Sequence, residues 1–194
     1  LALPYAPRDW SGLSLAVGVA LAESLQPQLP ARAGAAPRLQ LKWPNDLWLD
    51  DGRKLAGILI ETTEIADGSG RRCVIVGIGL NLRPPPGDGL RTPPACLQDV
   101  DERLDGPAAL LRYALPLVRT LLGFAESGFA PFQARFERRD HLKGRAVTLS
   151  NGVQGTARGV DDDGALRVQT AQGVQRITSA EVSVRPSALT AHGS

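Results

Sequence analysis

Between residues 38 and 82 short apolar runs alternate with turn-forming clusters, and this rhythm restricts the chain to a sheet of antiparallel strands. "RLQLKW" sets Leu39, Leu41 and Trp43 on one side and Gln40 and Lys42 on the other, the period-two pattern of a half-buried strand. Pro44-Asn45-Asp46 breaks it, "LWL" resumes it, and Asp50-Asp51-Gly52 is a tight-turn signal. "KLAGILIE" is a returning strand, "ADGSG" a further turn, and "CVIVGIGLNL" a last, more fully buried strand. Strands joined by turns this short pair antiparallel.

Helical spacing appears on either side. Asp9 to Gln26 predicts a helix capped by Ser11 or Ser14, with Leu13, Val17, Ala20, Leu21 and Leu25 as its apolar stripe. Asp105-Gly106-Pro107 opens a second, with Leu110, Leu111, Ala114, Leu117, Leu121 and Leu122 on its apolar side and a kink or break expected at Pro116. "APFQARFERRD" predicts a short third helix. From Leu142 the texture changes to short alternating strands with turns at Asn151-Gly152, Asp163-Gly164 and Gln172-Gly173, a small separate β barrel or sandwich. Asp161-Asp162-Asp163 reads as part of a hairpin turn rather than a metal site. The tail after Pro186 is expected to be frayed.

Composition narrows the function classes. Lys and Arg total 22 against 20 Asp and Glu, a net charge of +2 that gives no strong pull toward nucleic acid or an anionic membrane. No stretch reads as a bilayer span, Leu13 to Leu25 being amphipathic, so no membrane partner is expected. Two cysteines, Cys73 and Cys96, are too few and too far apart for a disulfide framework or a zinc site, which fits a reduced, cytoplasmic compartment. The chain begins at Leu1 and contains no methionine, as expected of a fragment.

Polar residues inside the core-like stretch set the functional question. Lys42 and Lys54 lie on strands that bury a face, and a lysine there needs an anionic partner or a wet cleft. Asp46 beside Asn45 offers hard oxygen ligands of the kind that hold Mg²⁺ together with substrate phosphates. Gly57, Gly77 and Gly79 lie within strands, where glycine weakens packing and is tolerated when a bulge or a ligand must approach the backbone. Asn81 offers a donor and an acceptor at a strand end. Taken singly, each has an ordinary reading: a lysine on a half-exposed strand is commonly just solvated, and an Asn-Asp pair is commonly only a turn. Neither "GxxxxGK[ST]" nor "GxGxxG" occurs. Together the residues suggest a phosphorylated or carboxylated small molecule lying across a sheet.

"KWPND", then "GRKLAGIL" and "VIVGIGLNL", in that order, resemble the signature of the biotin protein ligases, the biotin–[acetyl-CoA-carboxylase] ligase family. "LSLAVGVALAESL", "GFAPFQARFERRDHLKGRAV" and "ARGVDDDGALRV" extend the resemblance over nearly the whole chain. It implies an α/β (α+β) fold: a mixed, largely antiparallel sheet with helices, like that of class II aminoacyl-tRNA synthetases, followed by a small C-terminal SH3-like β barrel. The implied division is a partial catalytic domain over 1–140, the small domain over 141–187 and a flexible tail over 188–194. The implied reaction joins biotin to MgATP as biotinyl-5′-AMP, then passes biotin to one lysine of a biotin carboxyl carrier protein. ATP, Mg²⁺ and biotin are thus the expected ligands, the carrier protein the expected partner, and a homodimer through a sheet edge is possible by the same resemblance.

The resemblance also assigns roles. Lys54 is the expected catalytic cation near the biotin carboxylate and the α-phosphate, where removing such a donor costs about 3–4 kcal/mol. Lys54, Gly57, Leu59 and Gly77 would form the biotin site. Lys42, Asn45, Asp46, Gly79 and Asn81 would serve ATP, with Asp46 on Mg²⁺ and Lys42 either on the polyphosphate or paired with Asp46. Arg53 reads as a solvated turn residue, Trp43 and Trp48 as core, and Arg185 as a distant candidate for the nucleotide. The family's Gly/Arg-rich loop, of the type "GRGRxGRxW", is not in this sequence, so the chain alone is expected to turn over slowly or not at all. Two other readings stand beside this one: a lipoate or octanoate ligase relative, and a non-catalytic protein-binding module.

Overall fold

The computed structural model describes residues 1–30, 37–68, 71–84, 93–149, 152, 154–178 and 185–186. The chain order begins β1 (Ala2–Pro4), α1 (Leu13–Leu25), β2 (Leu39–Lys42), β3 (Asp46–Leu49), β4 (Lys54–Glu64) and β5 (Arg72–Leu80). These strands form one five-stranded antiparallel sheet in the order β1-β5-β4-β3-β2. Alternation along each strand sends Leu39, Leu41, Leu47, Leu49, Ala56, Ile58, Val74 and Val76 into the core. The helix α1 packs across β2, β3 and β4 on that face, with Gly18 close to Leu41 and Ile58.

α1 is shorter than its sequence pattern predicts, and neither serine caps it. Its N-cap is Gly12 at φ +77°, and a Cβ there would lie 2.7 Å from the Phe129 ring. Ser14 instead donates to Pro44 O at 3.0 Å, tying the helix to the turn between β2 and β3. β5 also differs from expectation: Val74 and Val76 are buried, while Ile75, Gly77 and Gly79 face the other way and leave that side open.

After a short 3₁₀ turn at Leu97–Asp99 come α2 (Gly106–Ser127) and α3 (Ala130–Glu137). Asp105 caps α2 by accepting from Ala108 N. The helix runs through Pro116 without a break. Pro116 removes the bond to the carbonyl of Arg112, and Arg112 is exposed, so water can serve that carbonyl. Unbroken, α2 has 22 residues and a mean hydropathy of 1.3 in its most apolar window, long and apolar enough by composition to cross a bilayer. The expectation that no stretch reads as a bilayer span, which weighed Leu13 to Leu25, therefore fails on length and composition at α2. Ala109, Leu117, Leu121 and Phe124 are the buried side, whereas Leu110, Leu111 and Leu122 are exposed.

The remaining strands are β6 (Ala146–Thr148), β7 (Gln154–Val160), β8 (Leu166–Thr170), β9 (Gly173–Ile177) and β10 (Arg185–Pro186), a second antiparallel sheet in the order β10-β6-β7-β8-β9. Asp161 to Gly164 is the expected turn, with Asp161 and Asp163 both paired to Arg176. Gly164, at φ +84°, lies so close to Gly12 that a Cβ on it would stand 2.8 Å from the Gly12 Cα. The gap is bridged by Trp43, whose indole N–H donates to Gly164 O at 3.0 Å. Residue 151 of the expected Asn151-Gly152 turn, the Arg185 side chain and the 188–194 tail lie outside the described residues.

Candidate active site

Leu39, Leu41, Leu47, Leu49, Ala56, Ile58, Val74 and Val76 point one way, so the opposite face is built from the residues between them. The register places Lys42 opposite Asp46, Asp46 opposite Gly57, and Gly57 opposite Gly79. Four candidate residues thus form a single row across β2, β3, β4 and β5. Leu59 opposite Gly77 forms the next row on β4 and β5, and Leu59 is 58% exposed.

Lys54 reaches this row because the pairing of β3 and β4 shifts register between Leu47 and Trp48. Its Nζ lies 2.7 Å from Asp46 Oδ1 and 3.6 Å from where a Gly57 Cβ would stand. The lysine side chain is 40% exposed and the aspartate 17%, so the ammonium looks outward while its counter-ion is held from below. Asp46 Oδ2 accepts from the Trp48 indole at 3.4 Å. Lys42 Nζ stands 4.2 Å from the Trp48 ring centroid, a cation–π distance. The lysine that pairs with Asp46 at 2.7 Å is thus Lys54, while Lys42 is the cross-strand neighbour of Asp46 and covers Trp48.

The two asparagines spend side-chain donors on the fold. Asn45 Nδ2 donates to Ile58 O at 2.8 Å and Asn45 O accepts from Ile58 N, which locks the β2–β3 turn to β4. Asn81 Nδ2 donates to Ala95 O at 3.0 Å and to Lys54 O at 3.4 Å. Arg53 is no solvated turn residue: it bonds Asp51 at 2.8 Å and Asp99 at 2.7 Å. Trp43 and Trp48 are buried as expected. The role of Trp48 beneath Asp46 was not legible, because tryptophan on a strand signals only burial.

Segment 139–141 covers the β2 side of this open face. Leu41 N donates to Arg139 O and His141 N to Leu41 O, a one-residue parallel bridge. The His141 ring lies 5.2 Å from that of Trp48. Burial first, then the charges of Arg145 and Lys42, push the imidazole down to about 4, so it is neutral near pH 7. Its Nδ1–H donates to Gln40 Oε1 at 2.7 Å. Asp140 is the opposite case: burial holds its carboxyl up at about 6, although Leu142 N donates to Oδ1, and its Oδ2 has no partner.

The donor set suits a hard cation only as part of a substrate. Asp46 is the single carboxylate in the row, and no group of three or more His, Cys, Asp or Glu among the described residues can hold a metal ion. A magnesium ion that arrives on nucleotide phosphates and keeps its waters needs no more than one such carboxylate.

Residues 3–81 match the family model for the Biotin/lipoate A/B protein ligase family, and residues 142–185 match that for the Biotin protein ligase C terminal domain. A biotin–[acetyl-CoA-carboxylase] ligase of Paracoccus denitrificans is 35% identical over 167 residues, covering 82% of this chain and 68% of that protein. The chain belongs to the biotin protein ligase family. A bifunctional ligase/repressor BirA of Escherichia coli is 32% identical over 186 residues, covering 94% of this chain and 56% of that protein. The chain thus spans little more than half the length of that relative. Among solved structures, a biotin protein ligase from Aquifex aeolicus superimposes with a TM-score of 0.76 at 24% identity, covering 96% of this chain and 81% of the other. This places the fold, both sheets included, with that of biotin protein ligases. A further structure of the Aquifex protein, in complex with biotin and ATP, gives the same TM-score at 23% identity.

Proposed function

We propose that the open face of the first sheet is the floor of a biotin-adenylating site. One observation carries this reading. Gly57, Gly77 and Gly79 face the same side beside the Lys54–Asp46 pair, none has a positive φ, and a Cβ on any of them would meet only ordinary contacts. The fold itself does not require glycine there, and each costs roughly 0.5–1 kcal/mol relative to alanine. A bare backbone kept at that cost, next to a fixed cation, suits a flat ligand that lies on the sheet. Family membership names the ligand: relatives are biotin ligases, and one structural neighbour binds biotin and ATP.

In the proposed reaction a biotin carboxylate oxygen attacks the α-phosphorus of MgATP, the bond to the β-phosphate bridging oxygen breaks, and biotinyl-5′-AMP and pyrophosphate form. The lysine ε-amine of a biotin carboxyl carrier protein then attacks the acyl carbon, loses a proton and releases AMP. Lys54 would stand at the carboxylate–phosphate junction, where negative charge builds. Asp46 would orient that ammonium and offer its remaining lone pairs to phosphate-borne Mg²⁺. Leu59 and Gly77 would receive biotin, and Gly79 and Lys42 the nucleotide. Asn45 and Asn81 act first as clamps, leaving their amide oxygens for the ligand. The 1–140 segment serves as the catalytic unit and 141–187 as the small domain. Beyond Ile58, β4 has no strand partner on its β3 side among the described residues, and a second copy or the carrier protein would pair there.

The test is biotin transfer. The chain is mixed with biotin, MgATP and a carrier domain, and acceptor mass is read, with Lys54→Ala in parallel. A mass gain that Lys54→Ala abolishes supports the reading, and a gain indifferent to Lys54 overturns its role. No gain, together with no heat of biotin or ATP binding, overturns the site.

A further inference from the structure

Lys54 is fixed through its main chain as well as through Asp46. Its N–H donates to Pro93 O at 3.0 Å and its carbonyl accepts from Ala95 N at 2.8 Å, a one-residue parallel bridge to Pro94. The 93–97 segment is therefore an added strip of sheet whose place decides where β4 begins. Asn81 holds one side of it: Nδ2 donates to Ala95 O, and Leu97 N donates to Asn81 O at 2.7 Å.

The other side is held by charge. Asp99 Oδ2 accepts from Cys96 N at 2.9 Å, closing the turn that ends the strip. The same oxygen accepts from Arg53 Nη1 at 2.7 Å. Arg53 Nε donates to Asp51 Oδ2 at 2.8 Å, in the turn that precedes Lys54. One guanidinium thus spans two turns that lie 46 residues apart in sequence. Burial opposes charge on Asp99, yet the Cys96 amide and Arg53 together leave its carboxyl below the ordinary value.

We propose that Arg53 and Asp99 are a positioning pair: they clamp the turn before Lys54 to the turn after its bridging partner, and so set where the Lys54 ammonium stands over the glycine floor. This rests on the reading of Lys54 as the cation at the reacting phosphate. A purely stabilising role is a poor account, because the side chains are 32% and 29% exposed and an ion pair so placed is largely screened. Position is a different matter, since a displacement of about 1 Å at a reacting group can cost on the order of 100-fold in rate.

The test uses Arg53→Ala, Asp99→Asn (which keeps an acceptor for Cys96 N), their double variant and Arg53→Lys. Amide hydrogen exchange is read first, on the whole chain, and needs no turnover. The expected result is exchange about tenfold faster at the Lys54 and Ala95 amides, with the Ile58 amide unchanged. The melting temperature should stay within about 2 °C. Arg53→Lys, able to keep one of the two ion pairs, should restore part of the protection. In biotinyl-adenylate formation kcat should fall about tenfold with KM for biotin moving less than about threefold. The double variant should be no worse than the weaker single one. Unchanged exchange at both amides, or faster exchange throughout the sheet, overturns the proposal. Loss of adenylation in Lys54→Ala with unaltered kcat in the Arg53 and Asp99 variants overturns the positioning pair alone. Full adenylation by Lys54→Ala overturns the reading of Lys54, and the pair with it.

Discussion

On the covered face of the first sheet Leu41, Leu47, Ala56, Ile58, Val74 and Val76 interlock in the core, with α1 packed over the β2–β4 part of it. On the open face of the same strands Lys42, Asp46, Gly57 and Gly79 stand in a line of charge and bare backbone. One set of strands therefore does two jobs, separated by the period of two. The covered face supplies apolar burial, which holds the backbone still. The open face uses that stillness, because a charge stabilises a transition state only if it need not reorganise. The sharpest way to break this division is to attack each face in turn and ask whether stability and chemistry respond separately.

The largest effect is expected from the covered face. Ile58 is 2% exposed, and Ile58→Ala should cost about 2–5 kcal/mol of unfolding free energy through lost burial and the cavity left behind. Urea denaturation checks this, and a loss under 1 kcal/mol would mean that α1 collapses onto the gap. Across the sheet Lys54→Ala should do the reverse. Adenylate formation should fall by about 3 kcal/mol in transition-state terms, roughly 100-fold, read from kcat/KM. Its unfolding free energy should change by less than about 1 kcal/mol, because the pair with Asp46 is screened on the lysine side. If both variants lose stability equally, the division of labour between the faces is wrong.

A pH experiment sharpens the comparison at the strap along β2, where two neighbours oppose each other. Asp140 has a folded value of about 6 against an ordinary 3.8. Its contribution is therefore fully present below the unfolded value and is lost as pH rises through 6. His141 has a folded value of about 4 against 6.5. Its contribution is fully present above 6.5 and is lost as pH falls through 4. Each is worth on the order of 3 kcal/mol, so their slopes nearly cancel between pH 4 and 6.5. Asp140→Asn should leave the histidine slope exposed, with stability rising with pH across that window, and should stabilise the protein at pH 7.5 by about 2 kcal/mol. A thermal melt series at pH 4, 5, 6 and 7.5 decides it; parallel curves for the two proteins would show that Asp140 is solvated after all.

The sequence made the first sheet and its charged residues legible because both rest on local signals. Period-two alternation marks a strand, and Asp50-Asp51-Gly52 marks its turn. Lys54, Asp46 and the strand glycines stood out by being chemically wrong for a core. What stayed hidden depends on residues far apart in the chain. Arg53 looks like any turn arginine until Asp99 is brought beside it. Trp48 looks like core until Asp46 and Lys42 are seen against it. β5 read as more fully buried than its neighbours because apolar residues and glycine alike lack polarity, and only the pairing shows that Gly77 and Gly79 share an uncovered side. Of the kink or break expected at Pro116, the break does not occur, and the carbonyl that the proline leaves without a partner, that of Arg112, lies on an exposed residue.

The smallest expected change in stability carries the most direct argument about why the open face is bare. If Gly57 and Gly79 were demanded by the fold, alanine at either should be destabilising. A Cβ at Gly57 would stand 3.5 Å from Asp46 Oδ1 and 3.6 Å from Lys54 Nζ, and one at Gly79 would stand 3.9 Å from Gly57 O. These are ordinary contacts, and neither glycine has a positive φ. Alanine should therefore stabilise the free protein by about 0.5 kcal/mol through the lost backbone entropy of the unfolded chain, raising the melting temperature by about 1–2 °C. The same methyl would stand where a ligand lies on the backbone, so biotin or ATP affinity, read by calorimetry, should drop at least about tenfold, a loss of 1.4 kcal/mol or more. The signs are opposite, which is what separates a floor kept open for a ligand from a strand that merely tolerates glycine. A destabilised variant with unchanged binding would mean that the glycines serve the sheet, and that the ligand lies elsewhere.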